Sequence, residues 1–316
     1  MPISRPQPPF ATAFKDLIIS PLRQLGGEPE TDTHSILTAS MELDGRGNPI
    51  VNKRGRPQYK IGERDTEQYD LDILSKVEKG QGCYGSEEEV LWYCYCYMRM
   101  HMDALQAALK CTRHSDAKEL QKCLVSTRRN LLLIDIGCGP MTAGLAVAEW
   151  YFRLNAAPIN MSYIGIDPSA YCRAKAREFG QRQDLINLRK PLRLYPTLGD
   201  CKDSHLANRI TGHSIVVFTL SYVFGQKSCS SVNAREIARF ISTIVTRFQP
   251  DRSFIMYTNA LRETVKYNAF RTRLHSERIP QEDRYRRRVY RGFADRNTFG
   301  LADAGFGRIF HVVEEI

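Results

Sequence analysis

Three acids and two glycines stand out by type and spacing. Asp135 is followed by Ile136-Gly137-Cys138-Gly139, Asp167 closes the run Ser162 to Ile166, and Asp200 lies in Leu198-Gly199-Asp200-Cys201. Alternate glycines let a chain turn sharply and let a ligand approach the backbone, and a helix starting just beyond leaves its first N–H groups free. A dinucleotide turn would read G-x-G-x-x-G and set a pyrophosphate on those N–H groups. Here the third of those positions is Thr142, and Asp135 lies two residues before the first glycine. A carboxylate there suits a ligand with a cationic head, received directly or through water, better than a pyrophosphate. Asp167 is placed to accept hydrogen bonds from both hydroxyls of a ribose. Pro168-Ser169 also reads as a helix start, and the two roles are compatible. Asp200, in a loop, can reach an adenine amino group.

Such residues need strands that end together. Leu131 to Ile136 is a continuous apolar run, as expected of a parallel strand buried on both faces. Ser162 to Asp167, Ser214 to Leu220 and Ser253 to Tyr257 repeat the pattern, with helices expected over Thr142 to Leu154, Ala170 to Phe179 and Ala234 to Arg247. Leu154 to Met161 reads as an extra loop, and Arg308 to Val313 as a terminal strand. This βα alternation predicts an α/β fold with a doubly wound, mostly parallel sheet. Residues 1–125 carry no such alternation and form a largely helical extension, a lid or a partner-binding region. Phe10 to Leu25 reads as a mildly basic amphipathic helix. Ser86 before three glutamates caps a helix running to Leu109, and its Tyr93, Tyr97 and Met100 stripe reads as core packing. Residues 126–316 form the ligand-binding domain, with an Arg-rich segment over 262–291.

The 316 residues carry a net charge of +10, a balance that favours partners bearing phosphate. Arg284, Arg286, Arg287, Arg288 and Arg291 alternate with Tyr285 and Tyr290. Arginine on phosphate with tyrosine under a base is how single strands of RNA or DNA are held. A solvated strand or loop whose arginines pair with Glu282 and Asp283 is the competing reading. Lys53, Arg54 and Arg56 offer a second contact. No apolar run reaches the ~18 residues of a membrane span, so no membrane partner is expected. Met1 to Phe10 lacks the apolar core of a secretory signal. The nine cysteines are scattered, and Cys94 and Cys96 have the wrong spacing for zinc. Reduced thiols, a cytoplasmic setting and no metal are expected.

Leu133 to Thr142 resembles motif I of the class I S-adenosylmethionine (SAM) dependent methyltransferases, and Ile164 to Asp167 resembles their second motif. Ser214 to Gln226 stands where those enzymes place substrate-facing residues. The resemblance covers about residues 126–260. It implies a Rossmann-like sheet of the class I methyltransferase type with SAM as cofactor. Asp135, Gly137, Cys138, Gly139, Thr142, Asp167, Asp200 and Thr219 would bind it, and Ser221 and Tyr222 would stand nearest the methyl acceptor. Met141 replaces the family's third glycine and is expected to narrow the space beside the methionine moiety. No Asn/Asp-Pro-Pro-Tyr tetrapeptide is present, and neither Cys201 nor Cys229 follows a proline. A narrower similarity is to methyltransferase-like proteins of small-ribosomal-subunit assembly, without the cysteine cluster that many of those carry. Three functions follow as expectations: methylation of RNA or another nucleic acid, methylation of a small molecule or protein, or a non-catalytic SAM-fold subunit that binds nucleic acid or protein.

Overall fold

The computed structural model describes residues 8–25, 45–46, 84–111, 115–126, 130–211, 213–225, 229–260, 265–274, 285–290 and 306–316. Ahead of the first strand come helices α1 (Pro8–Phe14) and α2 (Ser20–Gln24), joined by the π-helical turn Lys15–Ile19. Then follow α3 (Glu87–Tyr93), a second π-helical turn Cys94–Met98, α4 (Arg99–Leu109) and α5 (Ser115–Val125). Ser86 caps α3 as its sequence requires, its hydroxyl accepting the Glu89 N–H at 3.2 Å.

The alternating part begins with β1 (Asn130–Ile136), α6 (Thr142–Asn155), β2 (Ile159–Ile166) and α7 (Ala170–Gly180). Helix α6 runs to Asn155 and β2 starts at Ile159, so the extra loop expected over Leu154 to Met161 shrinks to three residues. Two short strands, β3 (Ile186–Leu188) and β4 (Arg193–Tyr195), pair with successive halves of β2. After α8 (Asp203–Ala207) come β5 (Ser214–Ser221), α9 (Ser231–Phe248), β6 (Arg252–Ala260) and α10 (Val265–Leu274). Strands β7 (Tyr285–Tyr290) and β8 (Phe306–Glu315) complete the sheet.

The strand order is β3-β2-β1-β5-β6-β8-β7, with β4 beside β2. Only β8 runs against its neighbours, antiparallel to both β6 and β7. The sheet is doubly wound and mostly parallel, a Rossmann-like arrangement. Side chains alternate between its faces. Leu131, Leu133, Ile215, Val217, Phe254 and Met256 meet the helices ahead of β1 together with α6 and α7. Leu132, Ile134, Val216, Phe218, Ile255 and Tyr257 meet α8, α9 and α10. The N-terminal helices therefore share the core of one sheet face. Two buried ionic groups fasten them. Glu149 of α6 accepts Arg99 at 2.6 Å and Gln106 at 2.7 Å, both from α4. Lys175 of α7 donates to the Leu17 carbonyl at 3.2 Å and to Glu178 at 2.7 Å.

Candidate functional site

Strand β1 lies between β2 and β5, and the connections that follow it go to opposite sides, so the topological switch point lies at its carboxyl end. The turn there uses left-handed backbone at three residues: Gly137 (φ 69°), Gly139 (φ 50°) and Met141 (φ 70°). At Gly137 a Cβ would also lie 2.6 Å from Val223 Cγ2, so both conformation and space demand glycine. Met141 takes the glycine-like conformation at a cost of about 1–2 kcal/mol. Its side chain is fully buried, with Cγ and Cε 3.0 and 3.2 Å from where Gly144 would carry a Cβ. It points under α6 into the core, so the expected narrowing beside the ligand is not what this side chain does.

The turn is bound to the end of β2. Gly137 and Cys138 donate their N–H groups to the Ile166 carbonyl at 2.8 and 3.1 Å, and Gly139 donates to Asp167 Oδ2 at 2.9 Å. Asp167 Oδ1 accepts the Ser169 N–H at 2.9 Å. Burial pushes the Asp167 carboxyl upward, while these two N–H groups and Arg173 oppose the rise. Each oxygen has one donor and keeps a second acceptor position. Cys138 is buried, with Sγ packed on Gly165.

Asp135 and Thr219 face each other across β1 and β5. The Thr219 hydroxyl donates to Asp135 Oδ1 and the Tyr163 hydroxyl to Oδ2, each at 2.7 Å. Asp135 and Thr219 are 1% and 0% exposed, so the pair lies beneath the turn and not in its mouth. Burial raises the Asp135 carboxyl to about 6, against the two hydroxyls and the Ala143 N–H at the start of α6. Thr142, the first residue of α6, is buried beside Tyr93. Asp200 lies shortly after β4, whose end pairs with the end of β2. Its Oδ2 accepts the N–H and hydroxyl of Thr197 at 3.1 and 2.6 Å, closing a capping box on the short turn Leu198–Asp200.

At the end of β5, Ser221 shares a 3.1 Å hydrogen bond with the Thr258 hydroxyl. Tyr222 follows with φ 59°, outside the range a tyrosine prefers. Its ring stacks on His101 of α4, centroids 3.9 Å apart and planes 20° from parallel. His101 Nδ1 and the Tyr93 hydroxyl share a 2.8 Å hydrogen bond. Tyr84, Tyr93 and Tyr97 continue the row of rings, all half-buried. Of the stripe read as core, Tyr93 and Tyr97 pack on the core, and Tyr93 also borders the glycine turn; the side chain of Met100 lies outside the described residues. Continuing the stripe's four-residue spacing from Tyr93 and Tyr97 leads to His101, a signal for this residue that the sequence does carry.

Arg286, Arg287 and Arg288 lie on β7, whose backbone pairs with β8. Arg284 and Arg291 lie outside the described residues. Among the described residues no group of three His, Cys, Asp or Glu side chains is placed to hold a metal ion, and no helix is long and apolar enough to cross a membrane.

No family model matches the chain, and no curated protein matches it. Solved structures are similar at low identity. One is magnesium protoporphyrin IX methyltransferase of Synechocystis PCC 6803 with bound SAM, at 13% identity, covering 78% of this chain and 91% of that one, TM-score 0.33. Precorrin-6y C5,15-methyltransferase of Geobacter metallireducens GS-15 is 9% identical, covering 65% and 90%, TM-score 0.36. A SAM-dependent methyltransferase of Leishmania major is 7% identical, covering 86% and 99%, TM-score 0.38. Likeness at this level carries nothing about activity, and the fold assignment rests on the strand order and the reversed β8.

Proposed function

We propose that this chain is a SAM-dependent methyltransferase acting on RNA or another nucleic acid. The observation that carries the reading is the hydrogen bond from Gly139 to Asp167, which joins the glycine turn of β1 to the acid ending β2 at the switch point. The donor set fits the cofactor. The second acceptor positions of Asp167 suit a ribose diol, and the buried charge of Asp135 beneath the turn favours a cationic head.

When bound, SAM supplies a methyl group already activated on a sulfonium. The chain's own task is then to bind, orient and exclude water, and a strong general base is not required. Gly137, Cys138 and Gly139 give the cofactor a close backbone wall, with Thr142 at the head of α6. Ser221 and Tyr222, at the end of the neighbouring strand β5, are the residues assigned to the acceptor side. Helices α3 and α4 complete that side with Tyr93 and His101, so the N-terminal extension serves as a wall of the site. The nucleic-acid acceptor is supported by the charge of +10 and by the arginine and tyrosine run of β7.

Calorimetry with SAM tests the cofactor. Wild-type protein is expected to bind, and Asp167→Ala to weaken binding at least about tenfold, the worth of one hydrogen bond to a charged group. Folded wild-type protein that takes up no SAM overturns the reading. For the acceptor, charge reversal at Arg286 to Arg288 should weaken a salt-dependent affinity for single-stranded RNA. Indifference to that change would point to a small-molecule or protein acceptor instead.

A further inference from the structure

We propose that His101 is an acceptor-binding residue, presenting Nε2 to the hydrogen-bonding edge of a planar nitrogen heterocycle held beside Tyr222. The inference rests on the methyltransferase reading and names the chemistry of its acceptor side.

Four observations converge on the imidazole. Its position is fixed from two directions, by the Tyr93 hydroxyl on Nδ1 and by the Tyr222 ring on its face. Its other nitrogen, Nε2, has no hydrogen-bond partner among the described residues. The residue is 9% exposed, with one ring nitrogen held and the other open. Tyr222 takes a left-handed backbone conformation that tyrosine avoids, and in it the ring meets α4.

The surroundings select the ligand class. Tyr84, Tyr93, Tyr97, His101 and Tyr222 form one row of rings, which reaches the cofactor turn where Tyr93 Cε1 lies 3.8 Å from the Cβ position of Gly139. Burial lowers the His101 pKa to about 3, so the ring is neutral at physiological pH. The Tyr93 hydroxyl is buried and held well above its ordinary pKa, so it too is neutral. A neutral imidazole among aromatic faces suits a flat uncharged base, not a phosphate. Either tautomer serves. If Tyr93 donates to Nδ1, then Nε2–H donates to the base; if Tyr93 accepts, Nε2 accepts from an amino or imino group.

The test uses the full chain labelled with 15N-histidine, saturated with S-adenosylhomocysteine and titrated with each of the four homopolymeric oligoribonucleotides. The His101 signals are identified by their loss in His101→Gln. The expected result is that Nε2 shifts with at least one oligonucleotide while Nδ1 stays in place. His101→Gln should lower the affinity for that oligonucleotide about tenfold, the effect of one hydrogen bond, with SAM binding unchanged. Tyr222→Leu should cost at least as much through lost stacking. If a variant does not fold, the wild-type titration decides alone. An unmoved Nε2, or binding of none of the four, overturns the proposal while leaving the methyltransferase reading standing. Failure of S-adenosylhomocysteine and SAM to bind at all sinks the underlying reading.

Discussion

Asp135 ends β1 inside the sheet with a hydroxyl on each oxygen, and burial lifts its carboxyl from 3.8 to about 6. A carboxyl raised on folding contributes stability that is present at pH 3 and lost as pH rises through 6. The displacement corresponds to about 3 kcal/mol in all. His101 works the other way. Burial lowers it from 6.5 to about 3, so its contribution is present above pH 6.5 and lost on acidification. Between pH 4 and 6 the two slopes oppose each other. Asp135→Asn keeps partners for both hydroxyls and removes one slope. Urea denaturation is expected to show the variant at least as stable as wild type at pH 8, with its advantage shrinking as pH falls to 4. A constant difference across that range would contradict the buried carboxylate.

Helices α4 and α6 are joined through Glu149, whose carboxylate is 0% exposed and accepts Arg99, Gln106 and Arg153. Burial alone would raise this carboxyl, but Arg99 and Arg153 hold it below the ordinary range. Glu149→Gln leaves the buried Arg99 without its counter-ion, a loss expected to cost about 3–5 kcal/mol in chemical denaturation. A loss under about 1 kcal/mol would mean that α4 is held by apolar contacts alone. Elements of this kind differ in how well their sequence announces them. Strands β1, β5 and β6 were legible because they are buried on both faces and read as unbroken apolar runs. Ser86 marks a helix start by accepting a backbone N–H, whereas Ser230 caps α9 four residues ahead of the expected start at Ala234. Strands β3 and β4 have three residues each, too short for any period to register. The loop expected between Leu154 and Met161 was a misreading of exposed residues such as Asn160, which belong to the first part of β2. In the turn between β1 and α6 and at the end of β2, Asp135, Gly137, Gly139 and Asp167 stand out in the sequence because they lie near one another and carry a spacing. Asp200 carries no such spacing, because a capping acid and a ligand-binding acid look alike in a loop. The pairing of His101 with Tyr222 joins residues more than a hundred positions apart, and periodicity shows which face is apolar without showing what it meets.

Across the whole molecule, the helices ahead of β1 and the sheet share a core, and the last described strand locks that core. Val313 of β8 is 3% exposed and lies opposite Met256 of β6, while β7, among the described residues, pairs only with β8. Deleting residues 306–316 should leave β6 with a bare edge and β7 without a neighbour. The expected outcome is loss of the cooperative thermal transition and self-association visible by light scattering. A sharp transition in a monomeric truncated protein would show that β8 is an accessory. The same insertion bears on how the molecule is made. Synthesis runs from one end of the chain to the other, but the sheet is not laid down in that order. When the ribosome has delivered β7, the place beside β6 is still vacant, and no growing chain can finish the sheet until its closing strand has emerged. Every nascent chain that ends between β6 and β8 therefore exposes the edge of β6, a stage at which a chaperone has something definite to hold.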